Sequence, residues 1–67
     1  MATQRTRTEH AARRLAGLIN AANERIQGSE TAFHWQQPDG EHVVKVVDLV
    51  TRRERVVRSW RDYSGIG

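Results

Sequence analysis

His42-Val43-Val44-Lys45-Val46-Val47-Asp48-Leu49-Val50 decides the fold, together with the shorter run Arg55-Val56-Val57-Arg58-Ser59-Trp60 that follows it. Five of the nine residues in the first run are valine, whose branched side chain suits a pleated, half-buried surface. Thr51-Arg52-Arg53-Glu54 separates the two runs by a connection of hairpin length, so the pair predicts an antiparallel β-hairpin. Along 42–50 the alternation blurs, with Val43, Val47 and Leu49 on one face and Val44, Val46 and Val50 on the other. A strand apolar on both faces is normally covered on both. Lys45 and Asp48 interrupt the run on opposite faces, as a solvated strand end or an edge does.

Upstream, Thr31-Ala32-Phe33-His34-Trp35-Gln36-Gln37 sets Phe33 and Trp35 in alternation with polar neighbours, the period of a half-buried strand. That phase turns the two aromatics to the core and His34 away from it. Pro38-Asp39-Gly40 supplies the reversal, because proline presets φ and the two residues after it tolerate the turn conformations that follow. Downstream, the third run at 54–61 sets Val56, Trp60 and Arg58 on one face and Val57, Arg55 and Ser59 on the other. Its arginines mark an edge strand, where charge discourages unwanted pairing.

Before the strands lies an amphipathic segment. Thr8 is a good N-cap and Glu9 suits the first turn through the helix dipole. Ala11, Leu15, Leu18, Ile19, Ala22 and Ile26 then recur at three- and four-residue steps, and Gly28 is placed to end the helix in a left-handed conformation. The expected architecture is α+β: one N-terminal helix packed on a three-stranded antiparallel β-meander, in the order α-β-β-β. The domain spans 9–61, between a flexible N-terminus at 1–8 and a flexible tail at 62–67 too short and glycine-rich for another helix. One helix covers one face of a sheet. The other face must therefore meet the tail, a second copy or another partner, and homodimerisation through Val44, Val46 and Val50, or through the helix, is expected.

Composition sets the limits on function. A chain of 67 residues buries only roughly 60% of the surface its unfolded form exposes. Without cysteine it has neither a disulfide framework nor a thiolate metal site. No apolar run approaches the roughly 20 residues that span a bilayer, and the polar start lacks the apolar core of a secretory signal, so a cytoplasmic location without membrane association is expected. His10, His34 and His42 are the only histidines, and none has metal-ligand spacing on one helix face with another histidine or a carboxylate. The serines lack a nucleophile-elbow context and the glycines make no phosphate-binding pattern. The expectation is a non-enzymatic protein without metal or cofactor.

The order of a leucine-bearing helix, Phe33-His34-Trp35 with Pro38-Asp39-Gly40, Val43-Val44-Lys45-Val46-Val47-Asp48, then Thr51 and Val56-Val57-Arg58, resembles the core of the FlaG-type flagellar proteins. In that family a helix precedes a phenylalanine-containing strand, an acidic-glycine turn, a Val-x-Val-x-Asp strand, a threonine-led turn and a strand ending Val-Ile-Arg. The similarity covers roughly 15–58, most of the chain. It implies an accessory protein of the bacterial flagellum that affects filament assembly or length through protein contacts. The positions that match are Phe33, Val44, Val46, Asp48, Thr51, Val57 and Arg58. Two departures stand out: the family turn is usually a short Thr-Gly-Glu, whereas Thr51-Arg52-Arg53-Glu54-Arg55 is longer and lacks the glycine, and the family's Ile-Pro step and further helix are replaced by Ser59-Trp60-Arg61-Asp62.

Charge points to an alternative. The chain carries a formal +3 with a pI near 10.6, and Lys45 is its one lysine among 11 basic residues. Arg52, Arg53, Arg55, Arg58 and Arg61 lie beside Trp60 and Tyr63, and arginine with an interleaved aromatic holds a single strand of nucleic acid. This reading makes the chain a small basic nucleic-acid-binding or regulatory module of phage or mobile-element origin that uses an arginine-rich strand edge. Core packing is the favoured role of Trp60 in a chain with so few large residues. The residues through which a partner is expected to bind are accordingly Val44, Val46, Val50, Arg52, Arg53, Arg55, Arg58 and Trp60.

Overall fold

In the computed structural model, which describes residues 7–65, Thr8 opens the first helix. Its backbone is extended and its Oγ1 accepts the Ala11 N–H at 3.1 Å, satisfying one of the orphan donors of the first turn. Helix α1 runs over Glu9–Arg25, with Glu9 paired to Arg13 one turn on at 2.8 Å. At its far end the Gly28 N–H returns to Asn23 O at 2.8 Å and the Gln27 N–H to Glu24 O at 3.3 Å, the pair of bonds that makes a Schellman ending. The left-handed residue there is Gln27, at φ 53, and not Gly28 as expected. Gly28 serves close approach instead, since a Cβ at this position would collide with Asn23 Oδ1.

Three strands follow: β1 at Glu30–Gln36, β2 at His42–Asp48 and β3 at Glu54–Val57, antiparallel in the order β1-β2-β3. The first turn is closed by Gln37 N–H to Glu41 O at 2.8 Å, with Asp39 Oδ1 accepting the Glu41 N–H and Gly40 at φ 90. The second is built by Asp48 and Thr51. Asp48 Oδ1 accepts the N–H groups of Val50 and Thr51, and Thr51 Oγ1 accepts that of Arg53. Those two backbone bonds, Thr51 first and Val50 second, hold the Asp48 carboxyl below its ordinary pKa. β2 therefore stops at Asp48, two residues before its valine pattern ends, because the aspartate is consumed in turning the chain.

The fold is the expected α+β arrangement in the order α-β-β-β, with one addition. Ser59 caps a short helix α2 at Trp60–Ser64, its Oγ accepting the Asp62 N–H, so the residues expected to begin a tail are ordered against the domain. Ser59-x-x-Asp62 is the sequence signal for this cap. Ile66 and Gly67 of that tail, and residues 1–6 of the expected flexible N-terminus, lie outside the described residues.

α1 covers one face of the sheet. Ala12, Leu15, Ala16 and Ile19 pack there on Ala32, Val44, Val46 and Val57, and Tyr63 of α2 closes the cluster. Two expectations are reversed. The buried stripe of α1 is Ala12, Leu15, Ala16, Ile19 and Asn23, which leaves Leu18 and Ile26 in solvent. In β1 it is Ala32 that faces the helix, while Phe33 and Trp35 point to the opposite side. Both reversals have one cause: Ala12, Ala16 and Ala32 are small enough to bring helix and strand together, and a phenyl or indole at position 32 would hold them apart.

A second contact fixes the approach. Asn20 on α1 donates its Nδ2 to Ala32 O at 2.9 Å and accepts the Ala32 N–H on Oδ1 at 2.8 Å. These are the backbone groups that an edge strand leaves without a strand partner. Its carboxamide thus stands in for a fourth strand at one residue. Asn20→Ala is expected to destabilise the fold by about 1.5 kcal/mol, read as a fall in urea midpoint with unchanged m-value. Arg52, exposed and left-handed at φ 64, carries backbone strain that glycine would relieve. Arg52→Gly is expected to gain about 0.5 kcal/mol in the same assay, the steric relief outweighing the added freedom of the unfolded chain.

Candidate interaction surfaces

The sheet face turned away from α1 is an array of eight residues in three rows. Pairing sets Thr31, Val47 and Glu54 in one row and Phe33, Lys45 and Val56 in the next, and Trp35 stands opposite Val43 in the third. Among the described residues no helix or strand covers this face. Phe33 and Trp35 are 41% and 43% exposed, whereas Val43 at their side is fully buried. Lys45 lies in the middle with its Nζ 4.0 Å from the centre of the Trp35 ring and 3.5 Å from Glu54, a cation held over an aromatic face. Arg58 borders the array. Its guanidinium grips both carboxylate oxygens of Glu41 at 3.0–3.2 Å, which raises its pKa above the ordinary value. The face is thus aromatic and aliphatic, with paired charges of both signs.

On the helix side, Leu18, Ala21, Ala22 and Arg25 of α1, Ile26 at its C-cap, and Trp60 of α2 line a shallow groove of about 430 Å³. Trp60 is 41% exposed here, with its ring 5.5 Å from that of Tyr63. The core role expected of Trp60 belongs to Tyr63. Its hydroxyl receives a hydrogen bond from Asn23 Nδ2 and donates one to Glu30 Oε1, both at 2.9 Å, while Arg55 pairs with Glu30 at 3.8 Å and lies 5.0 Å from the Tyr63 ring centre. Asn23 is the buried polar residue of this network and also donates to Ile19 O.

The residues proposed for partner binding are scattered by this geometry. Val44 and Val46 are 0% and 1% exposed beneath α1, so they offer nothing to a second copy, and the homodimer expected through them has no surface there. Val50 and Leu49 project from the second turn, 77% and 61% exposed. Arg52 and Arg53 belong to that turn. Arg55 lies on the helix side with Glu30, and Arg58 on the opposite side with Glu41, so the arginines form no continuous basic edge. His34 and His42, by contrast, are brought together: Nε2 of the first is 2.9 Å from Nδ1 of the second, on the helix side of the sheet. No third His, Cys, Asp or Glu completes a metal-binding group with them among the described residues.

Burial of the Tyr63 ring, and after it the hydrogen bond to Glu30, raises the phenol pKa above its ordinary 10.0. The unfolded chain therefore loses this proton at lower pH than the folded one. The stabilisation is complete below pH 10.0 and is lost as pH rises through the folded value. Tyr63→Phe is expected to cost about 1–2 kcal/mol at pH 7 by stranding Asn23 and Glu30. In paired denaturant titrations of the two proteins, that difference should shrink in the alkaline range above pH 10.0.

Comparison with family models, with curated proteins and with solved structures finds no match for this chain.

Proposed function

We propose that the chain is a small non-enzymatic protein–protein interaction module, an accessory of the bacterial flagellum of the FlaG type, which binds a filament component through the open face of its sheet. The observation that carries this reading is the exposed pair Phe33 and Trp35, set two residues apart on a face that no described element covers. Aromatic side chains offer large contact area at small entropic cost, and rigid sheet positions hold them in place before binding.

Details of the second turn support the flagellar resemblance. Asp48 and Thr51, two of the matching positions, together build that turn. Arg52 adopts the left-handed conformation directly after the threonine, where the family usually has glycine. The short helix α2 also follows β3, although without the Ile-Pro step. The nucleic-acid reading is weaker, because Arg55 and Arg58 are paired with carboxylates on opposite sides of the sheet.

Co-sedimentation with purified flagellar filaments tests the proposal. The wild-type chain should pellet saturably with filaments, and a Phe33→Ser, Trp35→Ser variant with an unchanged circular dichroism spectrum should stay in the supernatant. A wild-type chain that never pellets would overturn the flagellar assignment; a variant that pellets normally would remove the sheet face from it.

A further inference from the structure

We infer that the groove between α1 and α2 is a docking site for an acidic amphipathic helix of a partner protein. It lies on the other side of the sheet from Phe33 and Trp35, so it stands or falls independently of the function proposed above. Leu18, Ala22 and Ile26 recur every four residues along α1 and onto its C-cap, and Leu18 and Ile26 are 55% and 75% exposed. They form a ridge about 12 Å long, at 1.5 Å per residue, with the Trp60 indole as the opposite wall. In an ordinary surface helix these positions carry polar residues.

The occupant is defined by what the groove lacks. Most of its lining belongs to α1, whose backbone donors and acceptors are spent within the helix, so no strand can be added by main-chain pairing. An occupant must satisfy its own backbone hydrogen bonds, which a helix does. Apolar residues at i, i+3, i+4 and i+7 would then seat between Leu18, Ile26 and Trp60.

Charge sets the rest of its chemistry. Arg25 is the one charged residue in the lining. Arg14 stands one turn before Leu18 and Arg61 directly after Trp60. None of these three is in an ion pair among the described residues, whereas Arg13, Lys45, Arg55 and Arg58 each have a carboxylate partner. Arg52 and Arg53 are likewise unpaired but sit in the second turn, while Arg14, Arg25 and Arg61 put positive charge on or next to the uncovered apolar ridge. A second copy of this chain would bring like charges together across the groove, and a helix flanked by Asp and Glu would neutralise them.

Two synthetic helical peptides of about 18 residues, long enough to cover the ridge, test this. They share one leucine stripe and differ only in flanks of Glu or Lys. Titration into the full chain carrying Trp35→Phe reads Trp60 emission alone. The Glu-flanked peptide is expected to give a saturable blue shift, with the Lys-flanked one about tenfold weaker or worse. Leu18→Asp should abolish the shift without altering the fold, because this side chain is exposed, and Arg14→Glu with Arg25→Glu should reverse the preference. Equal affinity for the two peptides, no saturable shift with either, or binding unaffected by Leu18→Asp would overturn the inference. So would a dimer of the chain alone that Leu18→Asp dissolves, since the groove would then belong to a second copy.

Discussion

Asn20 holding both backbone groups of Ala32 sets the position of the helix, and the helix position sets the rest. A carboxamide offers donor and acceptor in the spacing of a peptide group, so it replaces a strand partner at the edge of the sheet without extending the sheet. α1 is thereby drawn toward β1. The helix side of β3 is left to Tyr63 of α2, and the groove between the two helices is the consequence. The sheet's other face receives no cover from any described element.

A second polar device completes the closure. Asn23, Tyr63 and Glu30 join α1, α2 and β1 in one chain of hydrogen bonds, with Arg55 closing it from β3. Buried polar groups are costly when half satisfied and specifying when fully satisfied. Here they decide which way a one-turn helix lies, a choice that its few apolar contacts leave open. Gly28 belongs to the same device, since only a residue without a Cβ leaves room for the Asn23 carboxamide. In a domain of 67 residues with a thin apolar margin, such contacts carry a large share of the net stability.

The element order, the hairpin and the Pro38-Asp39-Gly40 turn were legible in the sequence because each is specified locally, by period and by turn chemistry. The facing of the elements was not. Period alone gives two phases for β1, and hydrophobicity favours the one that buries Phe33 and Trp35. Close packing chose the other, because alanines at 12, 16 and 32 set the distance between layers. Asn20 and Asn23 lie outside the apolar stripe of the helix pattern, and nothing local distinguishes a clamp from a solvated amide. α2 was hidden by the glycines of the tail, although Ser59-x-x-Asp62 carried its signature. The expected partner residues suffered from the same choice of phase: once β2 turned Val44 and Val46 under the helix, the apolar surface left over was Phe33 and Trp35 on the sheet, Leu49 and Val50 at the second turn, and Leu18, Ile26 and Trp60 beside the helix.

Which face of β1 meets the helix is the point on which the open aromatic face depends. Solvent paramagnetic relaxation of side-chain protons in the isolated protein measures it directly. The account predicts strong broadening at Phe33 and Trp35, with Ala32 and Val44 protected. Protected aromatics beside a broadened Ala32 methyl would mean that the strand lies in the opposite phase, and the open aromatic face would not exist.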